Sequence, residues 1–81
     1  MRLSVRLFSM LRERVGRGKL DLTLPDGSTG QDLLDHLAES YPAIREQKDS
    51  IRLAVNDSYV GGPVQLGDGD EVALLTPVSG G

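Results

Sequence analysis

The residues best suited to chemistry are the last five, Pro77-Val78-Ser79-Gly80-Gly81. Gly80 and Gly81 have no Cβ, so an extended backbone there can thread a narrow channel and present its final carbonyl to a partner's catalytic groups. Pro77 has no amide hydrogen, so sheet pairing is expected to weaken at that point and leave the segment free to enter a partner. The bland reading is also available on these grounds alone. Chain ends are commonly disordered, and 10 of the 81 residues are glycine. The internal pair Gly61-Gly62 is the control, since it reads as a loop and nothing more.

Other candidates fare worse. The chain has no cysteine, which removes disulfides, thiolate metal sites and a thiol nucleophile together. His36 is the one histidine. Asp32 and Asp35 beside it suggest a metal or acid–base site, but a solvated helix face accounts for them better. Asp68, Asp70 and Glu71 resemble a fragment of a calcium loop without its remaining ligands, so a turn is expected. Gly27, Gly61 and Gly67 show no phosphate-loop pattern with a following Lys-Ser/Thr. Ser4, Ser9 and Ser79 have no partner set for a triad. The expectation is no metal, no bound cofactor and no self-contained active site.

The totals point the same way. A length of 81 residues predicts one domain over 1–81, with a core but little room for a deep internal site. The net charge is -3, the chain has one Phe and no Trp, and nucleic acid prefers a basic face with stacking platforms. Only Arg12 to Lys19 is locally basic, and a solvated turn suffices to explain it. No apolar run approaches membrane-spanning length, and no signal peptide is visible. A cytoplasmic location is the expectation, consistent with the lack of disulfides.

Hydrophobic alternation sets the frame that must present the tail. Leu3, Val5 and Leu7 share one strand face, opposite Arg2, Ser4, Arg6 and Phe8. Ser9 is expected to cap a short helical turn that Gly16 stops. Leu20, Leu22 and Leu24 alternate in a second strand, forming a hairpin with the first. After Pro25-Asp26-Gly27, either Ser28 or Thr29 is the N-cap of a helix carrying Leu33, Leu34, Leu37, Ala38 and Tyr41 on one face. Pro42 ends it, and residues 43–47 can add one turn. Ile51, Leu53 and Val55 mark a third strand, Asn56-Asp57 a turn, and Tyr59-Val60 a short fourth strand. Residues 66–70 form a tight turn. Glu71 to Thr76 is the last strand, with Val72 and Leu74 inward and Ala73 and Leu75 outward. The predicted class is α+β: a mixed sheet of about five strands, one main helix, and a flexible C-terminal Gly-Gly tail over 76–81. This order is that of a ubiquitin-like β-grasp, with the first and last strands side by side and parallel.

The string from Asp68 to Gly81, DGDEVALLTPVSGG, resembles the end of the MoaD/ThiS family of ubiquitin-like sulfur carriers. Leu7-Phe8, then Leu11-Arg12-Glu13 and Gly16, is similar to that family's first strand and following turn, and Ala54-Val55-Asn56 to its third strand. Within the family the string stands nearest the MoaD branch, the small subunits of molybdopterin synthases. Leu74, Leu75 and Thr76 depart from the aromatic residues and proline often found there. The resemblance implies that a MoeB-like activating enzyme adenylates the Gly81 carboxylate with MgATP. A sulfur donor protein then converts it to a thiocarboxylate. It further implies insertion of Val78, Ser79 and Gly80 into a MoaE-like large subunit, where sulfur passes to cyclic pyranopterin monophosphate to build the molybdopterin dithiolene. The subunit alone would not be an enzyme. Carriers for thiamine synthesis or tRNA thiolation, and ubiquitin-like protein modifiers, share this layout and stay open as alternatives.

Alternation also suggests a docking face. If Leu3, Leu7, Val60, Val72 and Leu74 face the helix, Phe8, Tyr59 and Leu75 face the other way. Apolar groups on a face that should be wet can mark a partner interface, although single exposed apolar residues are ordinary.

Overall fold

Leu3, Val5 and Leu7 give strand β1 (Arg2–Leu7) one fully apolar face, and that face is buried. The computed structural model describes residues 1–76. Strand β2 (Lys19–Thr23) pairs antiparallel with β1, setting Leu20 opposite Val5 and Leu22 opposite Leu3. Three further strands, β3 (Arg52–Val55), β4 (Ser58–Val60) and β5 (Glu71–Leu75), complete a mixed sheet in the order β2-β1-β5-β3-β4. β5 lies parallel to β1 and antiparallel to β3, with Leu74 opposite both Leu7 and Leu53. This is the ubiquitin-like β-grasp in the α+β class, and the last strand is held from both sides.

The link from β1 to β2 contains helix α1 (Ser9–Val15), which buries Leu11. Ser9 does not cap it. The N-cap position is Phe8, without a side-chain hydrogen bond, and Ser9 itself adopts a left-handed φ of 49°. A sharp exit from an extended strand demands such a turn, and a residue committed to it cannot also serve as the extended N-cap. Gly16 closes the helix with φ 87°, and its N–H donates to the Arg12 carbonyl at 2.9 Å.

Helix α2 (Gly30–Ser40) buries Leu33, Leu34, Leu37 and Ala38 into the same core as β1, β3 and β5. Its cap is Thr29, not Ser28. The Asp32 N–H donates to Thr29 Oγ1 at 3.2 Å, and the Thr29 N–H donates to Asp32 Oδ2 at 2.9 Å. This reciprocal pair satisfies two backbone donors at the helix start. The Ser28 hydroxyl instead donates to the Pro25 carbonyl at 2.7 Å. Thr29→Ala is expected to cost about 1 kcal/mol in urea denaturation; no change would remove the box from the account. Gly30 is a position of close approach: a Cβ there would sit 2.6 Å from Leu53 Cδ1 and 3.3 Å from the Gly62 carbonyl oxygen, so a larger residue requires the buried leucine to move.

Tyr41 ends α2, and Pro42 opens a second helix, α3 (Pro42–Gln47), where its missing N–H costs nothing. A 3-10 turn, Lys48–Ser50, follows. The segment after Pro42 is thus longer than the single turn expected. Buried Ala43 and Ile44 anchor it.

Two turns set the base of β5. Asn56 and Asp57, with φ 48° and 73°, form the two-residue link between β3 and β4. Asp70 accepts from the Gly67 N–H at 2.7 Å and from Asn56 Nδ2 at 3.0 Å. Asp68 accepts from the Arg2 N–H at 2.7 Å. These carboxylates are occupied in shaping the turn.

Candidate functional site

The parallel pairing of β1 with β5 brings the ends of both strands together. Phe8 follows the last residue of β1, Leu75 is the last residue of β5, and Thr76 leaves the sheet. Because β5 sits between β1 and β3, the chain beyond Leu75 departs from the middle of the sheet end, rooted in Val72 and Leu74, both fully buried. Val78, Ser79, Gly80 and Gly81 lie outside the described residues.

The outer sheet face can be assembled from the register. Arg6 lies opposite Ala73, Ala73 opposite Ala54, and Ala54 opposite Tyr59, so one row crosses four strands. Two alanines form its floor, and Ala54 is buried although it points away from the helices. Tyr59 stands at the edge with 77% of its surface exposed. An exposed tyrosine beside a low apolar floor provides both an apolar body and a polar tip for a partner.

The structure brings Tyr59 and Leu75 together. Both line an open depression of about 550 Å³, along with Arg52, Val60 and Thr76. Phe8 does not join them. It lines a separate depression of about 350 Å³ with Arg6, Arg12, Gly18 and Lys19. In strand order Phe8 and Tyr59 therefore flank Leu75 from opposite sides, with β3 between Leu75 and Tyr59. The Arg6 guanidinium lies 5.9 Å from the Phe8 ring centroid and reaches Glu71 at 3.4 Å. The cation thus covers part of a ring that is 40% exposed.

Sequence reasoning missed Ala54 and Ala73 as the floor of this face. Their outward alternation was readable, but their adjacency needs the pairing register. It also passed over Met10, an exposed apolar residue two positions after Phe8.

Two of the acidic groups that flank the one histidine are engaged in structure. His36 is exposed on α2, Asp32 is in the cap, and Asp35 pairs with Lys48. A hydrogen bond from Lys48, and a second from Gln31 at 3.1 Å, hold the Asp35 carboxyl below the usual carboxylate range. Among the described residues no three His, Cys, Asp or Glu side chains gather as a metal site, and no helix is long and apolar enough to cross a membrane.

Comparison with known proteins fits this geometry. The ThiS family model matches residues 5–81. The molybdopterin synthase sulfur carrier subunit of Arabidopsis thaliana is 37% identical over 79 residues, covering 98% of this chain and 82% of that protein. Among solved structures, a putative molybdopterin converting factor subunit 1 from Pyrococcus furiosus superposes with a TM-score of 0.86 at 26% identity, covering 96% of this chain and 99% of that one. The small archaeal modifier protein 1 from Methanosarcina acetivorans gives a TM-score of 0.81 at 33% identity, covering 99% and 96%.

Proposed function

Because the chain belongs to the ThiS family, within its MoaD/ThiS grouping of sulfur carriers, we propose that it is the sulfur carrier subunit of a molybdopterin synthase. The observation that carries this reading is a family match running through residue 81 on a fold whose buried central strand ends six residues earlier, at Leu75. The body is a rigid mount, and the segment after it is the working part.

The chemistry follows from what a carboxylate lacks. It is a poor electrophile, so the Gly81 carboxylate must first acquire a leaving group. Its oxygen attacks the α-phosphorus of MgATP on a MoeB-like activating enzyme, and pyrophosphate departs. Sulfide-level sulfur, released from a donor protein with a thiol as reductant where the donor holds it as a persulfide, then attacks the acyl carbon; the bond to the phosphate oxygen breaks, AMP departs, and a thiocarboxylate is left. That sulfur is a soft anionic nucleophile, available in a chain without cysteine. In a MoaE-like large subunit it passes to cyclic pyranopterin monophosphate, and two rounds supply the dithiolene sulfurs. The chain holds no cofactor of its own in this scheme and does not turn over alone. Gly80, Ser79 and Val78 thread the partner's channel, while Phe8, Tyr59 and Leu75 dock beside it.

Complementation tests the pathway. Rescue of molybdoenzyme activity in a strain lacking its own carrier is the expected result. Rescue of thiazole formation alone would assign the chain to thiamine synthesis instead. The docking face makes its own prediction: Tyr59→Glu, at an exposed edge position, should weaken large-subunit binding by about 2 kcal/mol, roughly thirtyfold in Kd by titration calorimetry. An unchanged Kd would remove Tyr59 from the interface.

A second reading is favoured by the 33% identity to small archaeal modifier protein 1. In it, the activated Gly81 is joined to a lysine of a target protein. ATP-dependent isopeptide adducts that need Gly81 would support that reading.

A further inference from the structure

The charged side chains are unevenly placed along the sheet. β1 and β5 finish at the end where the tail departs, and antiparallel β2 and β3 begin there. That end therefore collects Arg12 and Arg17 from the β1–β2 link, Lys19 from the first position of β2 and Arg52 from the first position of β3, all four exposed. Glu13 and Asp49 are carboxylates at the same end, while Arg14–Glu46 and Lys48–Asp35 pair with each other. Arg12 is laid across the turn: a Cβ on Gly18 would sit 3.2 Å from its Nε. At the opposite end Asp57, Asp68 and Asp70 gather, with Arg2 among them.

A five-residue strand separates the two ends by about 16 Å. That is roughly twice the Debye length at physiological salt, so a partner near one end responds mainly to that end. The chain as a whole is at -3, and the sign is locally reversed where the tail leaves.

We infer that this cationic collar draws the chain tail-first onto a protein partner whose channel mouth carries carboxylates. The inference rests on the proposed function for the existence of such a channel; the charge of its rim is the new element. A protein fits better than a nucleic acid. The collar continues into apolar Phe8 and Leu75, which phosphates do not satisfy, and a net negative chain is repelled by a long polyanion.

Stopped-flow association with the synthase large subunit of the same organism tests this. The wild-type chain should associate at least about tenfold faster at low than at high ionic strength. Arg17→Glu/Lys19→Glu should lose most of that advantage, with the dissociation rate changed less than about threefold. Arg17→Gln/Lys19→Gln should fall between, and a far-ultraviolet spectrum confirms that each variant is folded. Asp57→Asn, at the other end, should match the wild type within about twofold. A charge-reversed variant with wild-type rate and salt dependence overturns the inference, as does tighter binding to a single-stranded oligonucleotide than to the subunit. Wild-type binding without salt dependence sinks the collar alone; no binding at all sinks the functional reading and the collar with it.

Discussion

Deleting Gly81 will abolish charging of the chain while leaving its fold intact. The reacting carboxylate moves to Gly80 and so stops one residue short, about 3.5 Å, of the position the full-length tail reaches. A misplacement of about 1 Å can already cost on the order of 10²-fold in an oriented reaction, so the shortened chain should lose at least that in thiocarboxylate formation. Adding one alanine after Gly81 should do the same from the other direction. The described core closes without these residues: its cluster runs from Leu3 to Leu74. The melting temperature of either variant is therefore expected to stay within about 3 °C of the wild type. Charging at the wild-type rate in the shortened chain would remove Gly81 from the mechanism. A collapse in stability would mean that the tail is part of the body.

The second large effect runs the opposite way. Leu74→Ala should cripple the mount and spare the chemistry. Leu74 is fully buried at the centre of the sheet, opposite Leu7 on one side and Leu53 on the other. Truncating a buried leucine costs about 3–5 kcal/mol, because the cavity collapses only partly. A domain of this length has about 4–12 kcal/mol in total. The melting temperature should fall by more than about 15 °C. Leu75→Ala, one residue on and facing outward with partial exposure, should cost about 1 kcal/mol. Urea titration of the pair checks the alternation directly. A Leu74 cost near that of Leu75 would mean that the last strand is not the buried centre of the sheet.

Much of this frame is legible in the sequence. Leu3, Val5 and Leu7, and again Val72 and Leu74, alternate cleanly because each strand has one wet and one dry face. Gly16 and Asn56-Asp57 announced their turns because few residues accept a left-handed backbone cheaply. The choice between Ser28 and Thr29 was not legible. Both carry a suitable hydroxyl, and the Asp32 carboxylate that selects Thr29 acts only once the backbone has turned. Ser9 misled for a related reason: its side chain suits a cap, but the exit from β1 forces its φ positive. Gly30 gave no local sign of its constraint, which comes from Leu53, distant in sequence.

The layout of the candidate docking face was only partly legible. Phe8, Tyr59 and Leu75 could be assigned to one face by counting alternate residues. Their division into two depressions, Phe8 on one side and Leu75 with Tyr59 on the other, follows from the strand order β1-β5-β3-β4, which no local pattern encodes. The same holds for the charge distribution. Arg12 to Lys19 reads as a basic turn, and only the topology sets it beside Arg52 at the tail's departure point.

Intact-mass analysis tests the central claim most directly. The purified chain is incubated with an activating enzyme of the family, MgATP and a sulfur source, then weighed whole and after peptide mapping. The expected product has one oxygen replaced by sulfur, located on Gly81 and absent when ATP is omitted. A mass unchanged beside a control carrier that is charged in the same mixture would contradict the account, as would sulfur found anywhere other than the final residue.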